Sequence, residues 1–170
     1  YQDELLSKQS ARQVVGRPAP DSPRVTVGVF DSGVGGLSVV QELLHQPLNC
    51  RIVYFADQAH APYGDRPLSE LQALATGITR FLTACRADVI VLACNSASAA
   101  ALYPLRQLFP DIPFVGMEPA IKPAAEHTRT GRIAALPPGT TFNGEPYACL
   151  RDRYAHKVAI TCQVCPEFVD

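Results

Sequence analysis

Gly28-Val29-Phe30-Asp31-Ser32-Gly33-Val34-Gly35-Gly36-Leu37 passes from an apolar, β-branched run through an acid into a loop with three glycines, and out into a helical pattern. Glycine lets the backbone turn sharply and lets N–H groups approach an anion closely. A short buried strand feeding such a loop and then a helix is the opening of a parallel α/β sheet. The dinucleotide fingerprint does not fit, because the G-x-G-x-x-G spacing is absent, and no Lys-Ser/Thr ending marks a P-loop. A carboxylate or a small amino acid suits this loop better than a nucleotide. Taken alone, the segment is also compatible with a tight strand-to-helix turn in which Ser32 caps the helix.

The same alternation continues on the C-terminal side. Val25 to Phe30 is followed by a helical Leu37 to Leu44, Ile52 to Ala56 by Ser69 to Ala84, and Asp88 to Ala93 by Ala97 to Leu108, with a further strand at Pro113 to Gly116. Short strands interleaved with helices of this length predict a parallel α/β sheet in a three-layer arrangement. Arg132 to Leu136 and Lys157 to Thr161 read as two more strands, the opening of a second α/β unit too small to bury a core of its own. The organisation expected is a mobile, Pro-containing leader over 1–24, a first α/β domain over 25–117, and a crossover with an incomplete second α/β domain over 118–170.

Composition narrows the function classes. The 170 residues are 47% hydrophobic and 18% charged, with 15 Lys and Arg against 16 Asp and Glu, the profile of a globular protein with no basic cluster for a phosphate backbone. Nucleic acid is therefore not an expected partner. The longest apolar runs, Val89 to Ala93 and Ala97 to Tyr103, fall far below the ~20 residues that span a bilayer, and Tyr1 to Ser10 carries no signal-peptide pattern, so neither membrane nor export is expected. A cytoplasmic location follows by default. Six cysteines (Cys50, Cys85, Cys94, Cys149, Cys162 and Cys165) are spread through a chain too large for a disulfide miniprotein and read as reduced thiols. Cys162 and Cys165 form a lone C-x-x-C without the second ligand pair of a zinc site, and no metal is expected.

In parallel sheets, loops at the carboxyl ends of strands collect functional groups. Topology therefore singles out Asp31 to Gly36, Asp57 to Asp65 and Cys94 to Ser98. Cys94 follows an apolar strand and precedes a helix of small residues, where the helix dipole and nearby N–H groups are expected to favour its thiolate; taken alone, the position equally suits a buried, inert cysteine. Pro62-Tyr63-Gly64-Asp65 by itself is ordinary turn composition.

Together, the Gly28–Leu37 segment, Tyr54-Phe55-Ala56-Asp57 with Pro62-Tyr63-Gly64-Asp65, and Ala93-Cys94-Asn95-Ser96-Ala97-Ser98-Ala99 resemble, in order and spacing, three signature segments of the glutamate racemase family. Val115 to Pro123 resembles the family's crossing between its two halves, and Cys165-Pro166 a later segment. The resemblance implies a two-domain α/β enzyme of pseudo-twofold symmetry that inverts the α-carbon of glutamate without any cofactor, supplying D-glutamate for peptidoglycan. One thiol removes the α-proton from one face and a second returns a proton to the other. By position, Cys94 is one acid/base thiol, Asp31 assists it and orients the substrate ammonium, and Ser32 contacts the substrate. Tyr63, Gly64, Asn95 and Ser96 hold the carboxylates, Ser96 standing where many relatives have Thr.

Two departures shape the expectation. The family's partner thiol lies in a Cys-Thr-His segment that this sequence does not reach, and none of Cys149, Cys162 or Cys165 stands in that context. Leu136-Pro137-Pro138-Gly139-Thr140-Thr141-Phe142-Asn143-Gly144-Glu145-Pro146-Tyr147 departs from the family's Leu-Ala-Thr-x-x-Thr-x-x-Ser-x-x-Tyr. A partial racemase with little activity alone is the leading expectation, and its uncovered apolar face implies self-association or poor solubility, a homodimer among the outcomes. The alternatives are a non-catalytic binding protein, such as the gyrase-binding role reported for some members, and an aspartate racemase.

Overall fold

The structure is a computed structural model that describes residues 25–136, 152–154, 156–163 and 165. The leader, the segment 137–147, Cys149 and Pro166 lie outside the described residues.

Four strands form one parallel sheet: β1 (Val25–Asp31), β2 (Cys50–Ala56), β3 (Val89–Leu92) and β4 (Phe114–Gly116), in the order β2-β1-β3-β4. The register pairs Val25 with Cys50 and Asp31 with Ala56, so that β1 and β2 end level with one another. Helices α1 (Leu37–His45), α2 (Leu68–Ala84) and α3 (Asn95–Leu108) make the crossovers.

Alternation along the strands sends successive side chains to opposite faces of the sheet. Phe30, Ile90, Leu92 and Phe114 pack on one face against Leu71, Ala75, Ile78 and Leu82 of α2 and Ala97, Ala101 and Leu105 of α3. Val27, Val29 and Val91 pack on the other against Val39, Val40 and Leu43 of α1. The result is the α/β, three-layer arrangement that the sequence predicts. At Gly28 a Cβ would stand 3.1 Å from the Ala87 Cβ and 3.2 Å from Leu82 Cδ1, so α2 reaches the sheet closely there.

Beyond β4, a short helix α4 (Ile121–His127) precedes β5 (Arg132–Ala135), which pairs in parallel with β6 (Ala159–Cys162). A satellite core of Ile121 and Tyr154, with Ala125, Ile133, Ile160 and Cys162, fills the space beside this pair. The sequence reading takes Val115 to Pro123 as a crossing and does not single out α4. Pro123 is the third residue of that helix, in the first turn, where a missing N–H breaks no helical bond.

Among the described residues, no helix is long and apolar enough to cross a membrane. The five described cysteines are free thiols, and no group of three or more His, Cys, Asp or Glu side chains among the described residues could hold a metal ion.

Candidate active site

The sheet order places the site. From β1 the chain crosses to β2 on one side, and β3 lies on the other, so the loops after β1 and β3 diverge and leave a crevice at the carboxyl ends of these strands. A cleft of about 480 Å³ opens there. Asp31, Ser32, Tyr63, Gly64, Cys94, Asn95 and Ser96, the residues singled out in the sequence, all line it, together with Gly33, Gly35, Ser38, Pro62 and Met117.

Asp31 is the last residue of β1 and is buried. Its Oδ2 accepts the N–H of Gly36 at 2.9 Å, at the N-cap position of α1, where a carboxylate meets the positive end of the helix. This corrects the alternative in which Ser32 caps the helix: α1 has no side-chain cap, and Asp31 reaches its first free N–H from the strand. Gly36 permits this approach, because a Cβ there would stand 2.8 Å from the Asp31 Cβ and 2.9 Å from the Ala93 Cβ.

Ser32 is left free to face Cys94, its Oγ lying 3.7 Å from Cys94 Sγ. Cys94 forms the N-cap of α3 in extended conformation, and its carbonyl accepts the N–H of Ser98 at 2.9 Å. Burial pushes the Cys94 thiol up from its ordinary pKa, and the charge of Asp31 adds to that, while N–H groups of Ala97 and Ser32 and the Ser32 hydroxyl pull it down. The expectation of a favoured thiolate is therefore corrected. The N–H groups at the helix start act in the expected direction, but desolvation of a side chain only 8% exposed outweighs them.

Two tyrosines support the loops from below. Tyr54 of β2 donates its hydroxyl to the Gly33 carbonyl at 2.8 Å, pinning the glycine loop, and burial together with the nearby Asp31 and Cys94 raises its pKa. Tyr63 donates to Asp57 Oδ2 at 2.6 Å, and burial, then that bond, pushes its phenol strongly upward. The loop between β2 and α2 also contains a cis Ala61-Pro62 bond and a 3₁₀ turn at Gln58–His60. Ser98 Oγ donates to the Leu92 carbonyl at 3.1 Å and accepts the Met117 N–H at 2.9 Å, tying the cleft ends of β3 and β4 together.

Sequence reasoning did not select Tyr54, Asp57, Ser98 or Met117 as site residues. All four fall inside quoted segments, Tyr54 and Asp57 in the second, Ser98 in the third and Met117 in the crossing, which was the available signal. Ser98 and Met117 become partners only through the β3–β4 pairing.

No family model matches the chain. A curated glutamate racemase of Ectopseudomonas mendocina is 45% identical over 144 residues, 85% of this chain and 55% of the relative. The crystal structure of Escherichia coli glutamate racemase in complex with L-glutamate and the activator UDP-MurNAc-ala aligns with TM-score 0.78 and 36% identity, covering 86% of this chain and 55% of that one. A glutamate racemase isoform from Bacillus anthracis aligns with TM-score 0.74 and 30% identity over 85% of this chain and 54% of its own. The chain thus spans about half the length of the curated relatives it matches. Over 85% of its length, in sequence and in fold, this chain is similar to glutamate racemases.

Proposed function

We propose that this chain supplies one face of a cofactor-independent glutamate racemase. The observation that carries the reading is the convergence of Asp31, Ser32, Tyr63, Gly64, Cys94, Asn95 and Ser96 on one cleft with the Cys94 thiol among them. Residues 25–117 form the first racemase domain on this reading, and 118–170 the crossover with part of the second.

Inversion at Cα requires a proton to leave one face and another to arrive at the opposite face. Cys94 serves one face. As thiolate it accepts the α-proton on Sγ while the Cα–H electron pair remains on the substrate, and as thiol it returns a proton. The N–H groups of Ala97 and Ser32 stabilise the thiolate and burial stabilises the thiol, so the N–H groups offset part of the cost that burial adds to deprotonation. Asp31 attracts the substrate ammonium, Ser32 contacts the substrate, and Tyr63, Gly64, Asn95 and Ser96 receive the carboxylates. The opposite face needs a second acid. The D-glutamate formed would supply peptidoglycan synthesis in the cytoplasm.

The test is α-proton exchange followed by NMR for L- and D-glutamate in D₂O, with optical rotation and a Cys94→Ala control. Exchange of one enantiomer that disappears in the variant is the expected result for the single-thiol site. Exchange with inversion would identify a second acid within this chain. Absence of both exchange and glutamate binding would overturn the assignment.

A further inference from the structure

Asp57 lies outside the cleft lining, is 6% exposed, and has both carboxylate oxygens engaged. Oδ2 accepts the Tyr63 hydroxyl at 2.6 Å and Oδ1 the Nδ1–H of His60 at 2.8 Å, in the tautomer that carries that proton. Its backbone N–H donates to the Asp31 carbonyl at 2.9 Å, which locks Asp57 to the end of β1. His60 faces the other way. Its side chain is 46% exposed and lines a separate groove of about 520 Å³ with Phe55, Leu74 and Phe81. The carbonyl of His60 accepts Arg66 Nε at 2.6 Å, and Arg66 pairs with Glu70 in the first turn of α2.

A chain of hydrogen bonds therefore runs from a solvent-facing groove, through a buried carboxylate, to a tyrosine in the cleft wall. We propose that Asp57 and His60 are positioning residues for the substrate cleft, holding the Tyr63–Gly64 wall in place through the His60–Asp57–Tyr63 chain. The inference rests on the glutamate reading for its ligand, and on geometry for the chain itself. Neither residue touches the substrate or the reacting atoms. A buried carboxylate that loses one of two donors reorients toward the remaining donor or toward water, and the tyrosine hydroxyl bonded to it moves as well. Removal of His60, outside the cleft, should thus be felt inside it.

The experiment uses the full chain with His60→Ala, His60→Asn, Tyr63→Phe and the His60→Ala/Tyr63→Phe pair. Asn keeps a donor close to the position of Nδ1. Three readouts are taken: L-glutamate affinity, the rate of Cys94 carbamidomethylation by iodoacetamide without ligand, and the melting temperature. H60A and Y63F should each weaken glutamate about three- to tenfold, the change expected from one net hydrogen bond, and each should alter the Cys94 rate in the same direction. The pair should be no worse than its weaker member by more than about twofold, since both substitutions cut one chain. H60N should restore both readouts. If the unsubstituted chain binds no glutamate while H60A still alters the Cys94 rate, the positioning chain stands and the glutamate reading falls. Unchanged affinity and unchanged Cys94 rate in H60A, or fully multiplicative losses in the pair, would overturn the positioning role.

Discussion

Gln72 Nε2 donates a 3.0 Å hydrogen bond to the carbonyl oxygen of Ala100, across the interface between α2 and α3. That carbonyl lies four residues before Pro104, which sits inside α3 and has no N–H to return to it. The side chain from α2 thus supplies the donor that the proline removes, and this helps explain how an interior proline is accommodated in a 14-residue helix. Gln72→Ala should destabilise the chain by about 1 kcal/mol in urea unfolding. Adding Pro104→Ala should recover most of that loss by restoring the helical donor. A Gln72→Ala midpoint equal to that of the unsubstituted chain would mean that the amide contributes nothing.

Gly36 is the point where β1, β2 and β3 all approach the start of α1. A Cβ there would meet Asp31 Cβ at 2.8 Å, Ala93 Cβ at 2.9 Å and Tyr54 Oη at 3.0 Å, with no flexible side-chain end among the first two to give way. Gly36→Ala should cost about 1–3 kcal/mol by overpacking. Because Asp31 and Ala93 flank Ser32 and Cys94, it should also abolish glutamate-dependent exchange at temperatures where the variant is still folded. Gly77→Ala, away from the cleft, is the control, since a Cβ at Gly77 meets nothing within 4 Å.

The elements of the main sheet were legible because each strand is a short apolar run bounded by turn residues, so Val25 to Phe30 and Asp88 to Ala93 fall within about two residues of the observed strands. Helix α4 was not, because Pro123 reads as a breaker unless the helix start is known to lie only two residues before it. The cleft-lining residues were legible where they occupy strand-end loops. The direction of the Cys94 shift was not, because local sequence reports the N–H groups of α3, whereas burial depends on how the loops after β1 and β2 close over the thiol. The bond between Ser98 and Met117 likewise depends on β3 and β4 being neighbours, which no local pattern specifies.

The Cys94 shift has a testable sign. Because burial leads the causes that raise the thiol pKa above its ordinary value, the folded state retains the proton at pH values where the unfolded chain has released it. Between those two values the folded state binds more protons, and stability falls as pH rises. Carbamidomethylation of native Cys94 should therefore follow a pH profile with its midpoint above that of an ordinary cysteine, and Cys94→Ala should lose less stability than the unsubstituted chain on going from neutral to strongly alkaline pH. A midpoint below the ordinary cysteine value would show that the N–H groups outweigh burial after all.

Ser98 lies in the first turn of α3, is 2% exposed, and bridges β3 and β4 with a single hydroxyl. Replacing it with Ala removes the acceptor of the Met117 N–H and the donor to the Leu92 carbonyl together. The expected loss is about 1–3 kcal/mol, the range for leaving buried polar groups without partners. Met117 lines the cleft and Leu92 lies two residues before Cys94, so the consequence should reach the site. Ser98→Ala should weaken glutamate binding as well as lower the unfolding midpoint. Ser98→Thr keeps the hydroxyl but adds a methyl group where Ser98 is nearly closed to solvent, so it should preserve the bridge and still cost stability through overpacking. Hydrogen exchange separates the two causes. The Met117 amide should lose protection in Ser98→Ala and keep it in Ser98→Thr, and equal protection in both variants would mean that the hydroxyl does not hold β4 to the site.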